Sequence, residues 1–179
     1  MLFRSQAALD EGIVKPILIG RRSVVEQRIE RLSLRMRVGI DCELVDPDKD
    51  DRYREYYSLY HTIMRRRGVS RNEARVVVRT NTTVIAALMV RRGEADAMIA
   101  GVRGRYVEHL SPIFQIIGLK PGVNRAAALG MMLLPKGTIF ICDPFVNANP
   151  TPEVVAEFTV LAAEEIRRFG IEPRAALLS

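Results

Sequence analysis

The chain has 179 residues, 48% of them apolar, and a formal net charge of +6. That length and apolar content can bury the core of one domain, or of one domain and part of another, and they exclude a disordered chain. No apolar run approaches the roughly 20 residues needed to cross a bilayer, and the start M-L-F-R-S-Q-A-A-L-D-E-G reads as an amphipathic helix and not as a leader, so a soluble, cytoplasmic protein is expected.

Short apolar runs alternate with helical patterns, as βαβ units and a mainly parallel sheet require. P-I-L-I-G (16–20), C-E-L-V-D (42–46) and A-D-A-M-I-A-G (95–101) are predicted strands, the last of them buried. Between the first two, Val24, Val25, Ile29 and Leu32 form one stripe of a helix that covers a sheet face. Residues 50–67 predict a second helix stopped by Gly68, and Ser70 caps a third. T-N-T-T-V-I-A-A-L-M-V-R-R-G is apolar on all sides from Val84 to Val90, so that helix belongs in the interior. Its start, Asn81-Thr82-Thr83, offers free backbone N–H groups to an anion, or is simply the cap of a core helix.

After I-I-G-L-K-P-G-V the pattern changes. A-A-A-L-G-M-M-L-L-P-K-G-T-I-F-I-C-D-P places two apolar runs around P-K-G, which predicts a β-hairpin and a second subdomain beginning near Gly122. The organisation is therefore 1–121 and 122–179. Thr151 as N-cap and Pro152 at the first helical position open a helix that carries Val154, Phe158, Leu161 and Phe169 inward. A last strand, R-A-A-L-L-S, is expected at the end.

The positive charge raises nucleic acid as a partner, but its distribution argues against one. Arg21-Arg22, Arg65-Arg66-Arg67, Arg91-Arg92 and Arg167-Arg168 are scattered, mostly near helix ends, and residues for base stacking are few. A gel-shift series in rising salt would expose backbone binding. Lys15, Lys49, Lys120 and Lys136 are the only lysines, so arginine dominates, which suits bidentate capture of phosphate or carboxylate. Cys42 and Cys142 lie far apart with only His61 and His109 to join them, so neither a disulfide nor a metal site is expected.

A-D-A-M-I-A-G-V-R-G-R, residues 95–105, runs a strand into two glycines interleaved with two arginines. Arg103 and Arg105 either bind an anion there, preserve a relic of such a site, or face water.

The run from D-E-G-I-V-K-P-I-L-I-G through V-N-A-N-P-T-P-E and F-G-I-E-P-R-A-A-L-L-S resembles the phosphate acetyl/butyryl transferase family along essentially its whole length. Within that family, R-T-N-T-T-V-I-A-A-L-M-V-R-R-G-E-A-D-A-M-I-A-G, and G-R-Y followed by I-I-G-L, resemble the version fused to the C-terminus of large bacterial NADP-dependent malic enzymes. The resemblance implies an isocitrate-dehydrogenase-like, three-layer α/β fold of two subdomains with a cleft for coenzyme A. It also implies that the family's first strand precedes Met1 and that its catalytic serine and aspartate follow Ser179, so no catalytic residue is assigned here.

Active transferases place a small residue and then His-Ser/Thr-Thr where this chain has Arg103-Gly104-Arg105, and tend to carry Arg-Pro where it has Ser111-Pro112. A guanidinium binds an anion but is no general base near neutral pH, so the turn is expected to bind without transferring acetyl. The candidate ligand site is Gly101, Arg103, Gly104 and Arg105, with Asn81 and Thr82 at the helix start and Arg65 from the basic segment. His109 and Asp143 are weaker candidates.

On this resemblance the parent oxidatively decarboxylates malate to pyruvate with NADP and a divalent metal, Mg or Mn, held by N-terminal catalytic domains. This part needs no cofactor. It binds acetyl-CoA or a related thioester and regulates those domains within a homo-oligomer, with no nucleic acid or membrane as partner. An active phosphate acetyltransferase, and more remotely a basic nucleic-acid-binding module, are the alternatives.

Overall fold

The computed structural model describes residues 2–101 and 104–178. The chain divides into two compact units, Met1–Gly118 and Leu119–Ser179. Its architecture is α/β.

The first unit runs α1 (Leu2–Asp10), β1 (Ile17–Ile19), α2 (Arg22–Arg31), β2 (Glu43–Val45), α3 (Tyr53–Met64), α4 (Arg71–Thr80), α5 (Thr82–Arg92) and α6 (Tyr106–Ile116). β1 and β2 pair in parallel, Ile17 opposite Glu43 and Ile19 opposite Val45. A 3-10 turn, Arg65–Arg67, extends α3 and ends at Gly68 in the left-handed region, φ 87°, where a side chain would be strained. Ser70 then opens α4 with a full capping box: its Oγ accepts from Glu73 N–H, and the Glu73 carboxylate accepts from Ser70 N–H at 2.7 Å.

The core of this unit follows from helical spacing. Tyr56, Tyr60 and Met64 lie four residues apart along α3 and meet Ala74 and Val78 of α4, Ile85, Leu88 and Met89 of α5, Ile116 of α6 and Val45 of β2. α5 lacks a polar face, and six of its residues are buried. Removing a large apolar side chain of this kind from water contributes about 1.5–3 kcal/mol. Buried Tyr56 donates its hydroxyl to Glu94 at 2.6 Å, and burial, reinforced by that hydrogen bond, pushes the phenol well above its ordinary pKa. Arg52 and Arg92 each lie within 6 Å of the Tyr56 ring centroid, at 5.9 and 5.5 Å.

One expectation for this unit fails. Residues 95–101 pair with no strand among the described residues, and Ile99 is 84% exposed. Only Ala95 and Met98 pack against the core, at a spacing of three and not two. Alanine and glycine supply little apolar area, and extended backbone becomes a strand only where a neighbour completes its ladder. The parallel sheet among the described residues is accordingly the β1–β2 pair.

The second unit contains β3 (Leu129–Leu134), β4 (Gly137–Cys142) and α7 (Pro152–Arg168). β3 and β4 form the predicted hairpin, antiparallel, with Leu134 opposite Gly137 and Pro135-Lys136 as the two-residue connection. Thr151 and Pro152 start α7 as expected, and Phe158 is buried. Phe169 is not inward: it is 58% exposed just past the end of α7, its ring 5.7 Å from that of Phe140. Residues 174–178 form no strand, again because no ladder partner stands beside them among the described residues.

Candidate functional site

The strongest convergence of the sequence's candidate residues lies where α5 begins beside α6. Asn81 is the N-cap of α5, and its Oδ1 accepts from the N–H groups of Thr83 (3.0 Å) and Val84 (3.3 Å). Those donors are thus occupied from within the chain. Thr82 is exposed, whereas Thr83 is only 4% exposed.

The Thr83 hydroxyl reaches across to α6, where its Oγ1 lies 2.8 Å from Nδ1 of His109. The same imidazole lies against the turn: a Cβ at Gly104 would meet His109 Nε2 and Glu108 Oε2, each at 3.2 Å. Gly104 also has φ 98°, so both backbone conformation and space favour glycine there. Gly101, with φ 104°, has no such neighbour, and its glycine serves the backbone alone.

Arg105 occupies the N-cap of α6. Glu108 turns back so that Oε2 accepts from Arg105 N–H at 3.1 Å and Oε1 from Arg105 Nε at 2.7 Å. That side-chain hydrogen bond, with the backbone one, holds the Glu108 carboxyl below its ordinary pKa. The Arg105 side chain remains 86% exposed. Arg103 lies outside the described residues.

Arg65 is exposed on the 3-10 turn after α3, and among the described residues no hydrogen bond or ion pair joins it to Gly101, Gly104 or Arg105. Asp143 closes a turn in the second unit. Its Oδ1 accepts from Ala128 N–H (2.9 Å) and Val146 N–H (3.2 Å), and its Oδ2 from the backbone and side chain of Asn147 (2.8 and 2.7 Å). Burial acts to raise its pKa, but these hydrogen bonds outweigh it and hold the carboxyl below the usual range.

The pair missed by sequence reasoning is Thr83–His109. No spacing rule joins residues 26 apart, and only the packing of α5 on α6 creates the contact. Chemically, the arrangement sets Gly104 close against an imidazole and beside an exposed guanidinium at a helix start. Such a site can receive an anion. Among the described residues no three His, Cys, Asp or Glu side chains gather as a metal site requires.

The fold is α/β, and comparison with known proteins defines the family. Phosphate acetyl/butaryl transferase matches residues 1–179, and the chain belongs to that family. It is 49% identical over its full length to the NADP-dependent malic enzyme of Salmonella typhimurium, covering 24% of that protein. It is 50% identical, again over its full length, to the NAD-dependent malic enzyme of Rhizobium meliloti, covering 23% of it. The chain thus spans about a quarter of the length of these relatives. The EutD phosphotransacetylase from Staphylococcus aureus shares the fold, with a TM-score of 0.84 at 23% identity over 96% of this chain and 51% of that one. No helix among the described residues is long and apolar enough to cross a membrane.

Proposed function

We propose that this chain is the phosphate-acetyltransferase-like regulatory part of a cytoplasmic, oligomeric malic enzyme and that it binds acetyl-CoA or a related thioester at the Gly101–Arg105 turn. The observation that carries this reading is the Thr83–His109 contact beside Gly104, with Arg105 exposed at the start of α6. Likeness to two malic enzymes along the whole chain supports the parent activity, oxidative decarboxylation of malate to pyruvate. One of those relatives is named for NADP and the other for NAD; NADP is the cofactor proposed. NADP and a divalent cation, Mg or Mn, are assigned to N-terminal catalytic domains outside this chain.

In this reading the backbone of Gly101 and Gly104 lets a thioester approach closely, while Arg103 and Arg105 pair with its phosphate or carbonyl oxygens. Glu108, which accepts from Arg105 Nε at 2.7 Å, competes with the ligand for that guanidinium. Occupancy changes malate oxidation only insofar as the thioester prefers one arrangement of the oligomer; such couplings are typically about 1–3 kcal/mol. The test is an acetyl-CoA titration of NADPH production by the complete protein. Arg103→Ala and Arg105→Ala should each shift the response to roughly tenfold higher acetyl-CoA, with unregulated activity near its starting value. An unchanged response in both variants rejects the turn as the ligand site.

A second reading, an active phosphate acetyltransferase, is favoured by one observation: the Thr83 hydroxyl and His109 stand at the distance of a nucleophile and its base. The near-complete burial of Thr83 argues against attack on a substrate. Formation of acetyl phosphate by the complete protein at about 1 to 10³ per second would establish this second reading.

A further inference from the structure

A groove of roughly 480 Å³ between α3 and α4 is lined by Tyr53, Tyr57, Arg54, Arg75, Arg79 and Thr80, with no carboxylate in its lining. From this groove we infer a second anion site, separate from the Gly101–Arg105 turn, built to hold a chain of two or three phosphates. The inference does not depend on the thioester reading.

The argument starts from the sequence of α4. Arg71, Arg75 and Arg79 recur every fourth residue, which aligns three cations on one stripe of the helix. Like charges at that spacing destabilise a helix, so local helix stability does not account for the pattern. Stacking fixes two of them: the Arg75 guanidinium carbon lies 5.0 Å from the Tyr57 ring centroid and that of Arg79 lies 5.0 Å from Tyr53. Tyr53 is itself anchored, donating its hydroxyl to the Arg75 carbonyl at 2.6 Å. The guanidinium planes are therefore pre-positioned, which lowers the entropy lost when a ligand binds.

The other side of α3 provides the contrast. There Arg52 meets Asp50 at 2.9 Å and Glu43 at 2.6 Å, and Arg92 pairs with Glu55 and Glu94. In the groove, Arg54 and Arg75 have no carboxylate partner among the described residues, and Arg79 has only a loose one, Asp48 at 3.6 Å. Asp48 is shared with Arg21 at 3.4 Å and lies just after β2. A single phosphate meets one or two of these guanidiniums; a phosphate chain follows the stripe. Its volume falls within the range of small-molecule sites.

The test is calorimetric titration of the complete protein with inorganic tripolyphosphate at low and raised salt. Binding should be saturable and should weaken as salt screens the charges. Arg75→Gln combined with Arg79→Gln should weaken it by roughly tenfold or more, and Arg54→Gln several-fold, while Arg105→Ala leaves it unchanged. ATP and coenzyme A titrated in parallel distinguish the source of the phosphates: the ligand that loses affinity in the double variant is the one whose phosphates occupy the groove. Absence of saturable tripolyphosphate binding, equal affinity in parent and double variant, or loss of binding on Arg105→Ala overturns the proposal. Loss of Tyr stacking could also unsettle the double variant. If its melting temperature falls, Arg54→Gln, which breaks neither a stack nor an ion pair, decides the matter, and undiminished binding there overturns the site.

Discussion

The two units of the chain are built on opposite balances of apolar surface. In the first, Tyr56, Ile85, Leu88, Met89 and Ile116 are all 1% exposed or less and meet in one cluster. In the second, Phe158 is the single buried apolar side chain among the described residues, while Leu133 is 75% exposed and Met131, Met132, Ile139 and Ile141 are each more than two-fifths exposed. The difference teaches where each element's order comes from. The first unit is held by burial from four helices and a strand, whereas the hairpin is held by its own ladder and by polar closure at Asp143.

The largest expected effect tests burial. Leu88→Ala should destabilise the protein by about 2–5 kcal/mol in denaturant unfolding, because it leaves a cavity in a packed core. Leu133→Ala, which empties nothing buried, should cost no more than about 0.5 kcal/mol. Equal costs would break the comparison and show the hairpin covered in the assembled protein.

Next comes the polar closure of the second unit. Asp143→Ala removes the acceptor for four donors, and leaving part-buried N–H groups unpaired should cost about 1–3 kcal/mol. The loss should be local. Hydrogen exchange should accelerate at the amides of Ala128, Val146 and Asn147 and remain unchanged along α5. Faster exchange in α5 would show that the two units unfold together.

The smallest effect concerns acid. The Arg52 side-chain hydrogen bond holds the Asp50 carboxyl below its ordinary pKa, against the opposing effect of burial. The unfolded chain therefore binds this proton more readily than the folded one. The stability contributed is present above the unfolded carboxylate value, near 4, and is lost as pH falls through the lower folded value. Asp50→Asn should lower the neutral plateau of the stability-pH curve while leaving its acid end nearly unchanged, so that the acid side flattens. An identical slope in the variant would remove Asp50 from the acid response.

Much of the local structure was legible in the chain because its causes are local. Ser70 with Glu73, Asn81 before an all-apolar helix, Gly68 and Gly93 in left-handed conformations, and Pro135-Lys136-Gly137 between two apolar runs each fix a boundary within a few residues. The strand expected at 95–101 was not legible in that way. Its residue types suit extended chain, but whether a neighbour pairs with it is decided elsewhere in the fold, and among the described residues none does.

The candidate site divides along the same line. The glycines at 101 and 104 and the arginine at 105 could be read as an anion-suited turn from residue chemistry alone. That His109 lies against Gly104 while bonding Thr83, and that Asn81 already occupies the helix donors, could not. Sequence by itself determined the caps, the buried helix, the hairpin and the family resemblance, because each rests on residue type at short, fixed spacing. The tertiary structure alone decided which side chains meet: Thr83 with His109, and two tyrosines of α3 with two arginines of α4. Those contacts depend on how helices pack across 17 or more residues of intervening chain, a geometry set by the whole core and by no single segment of it.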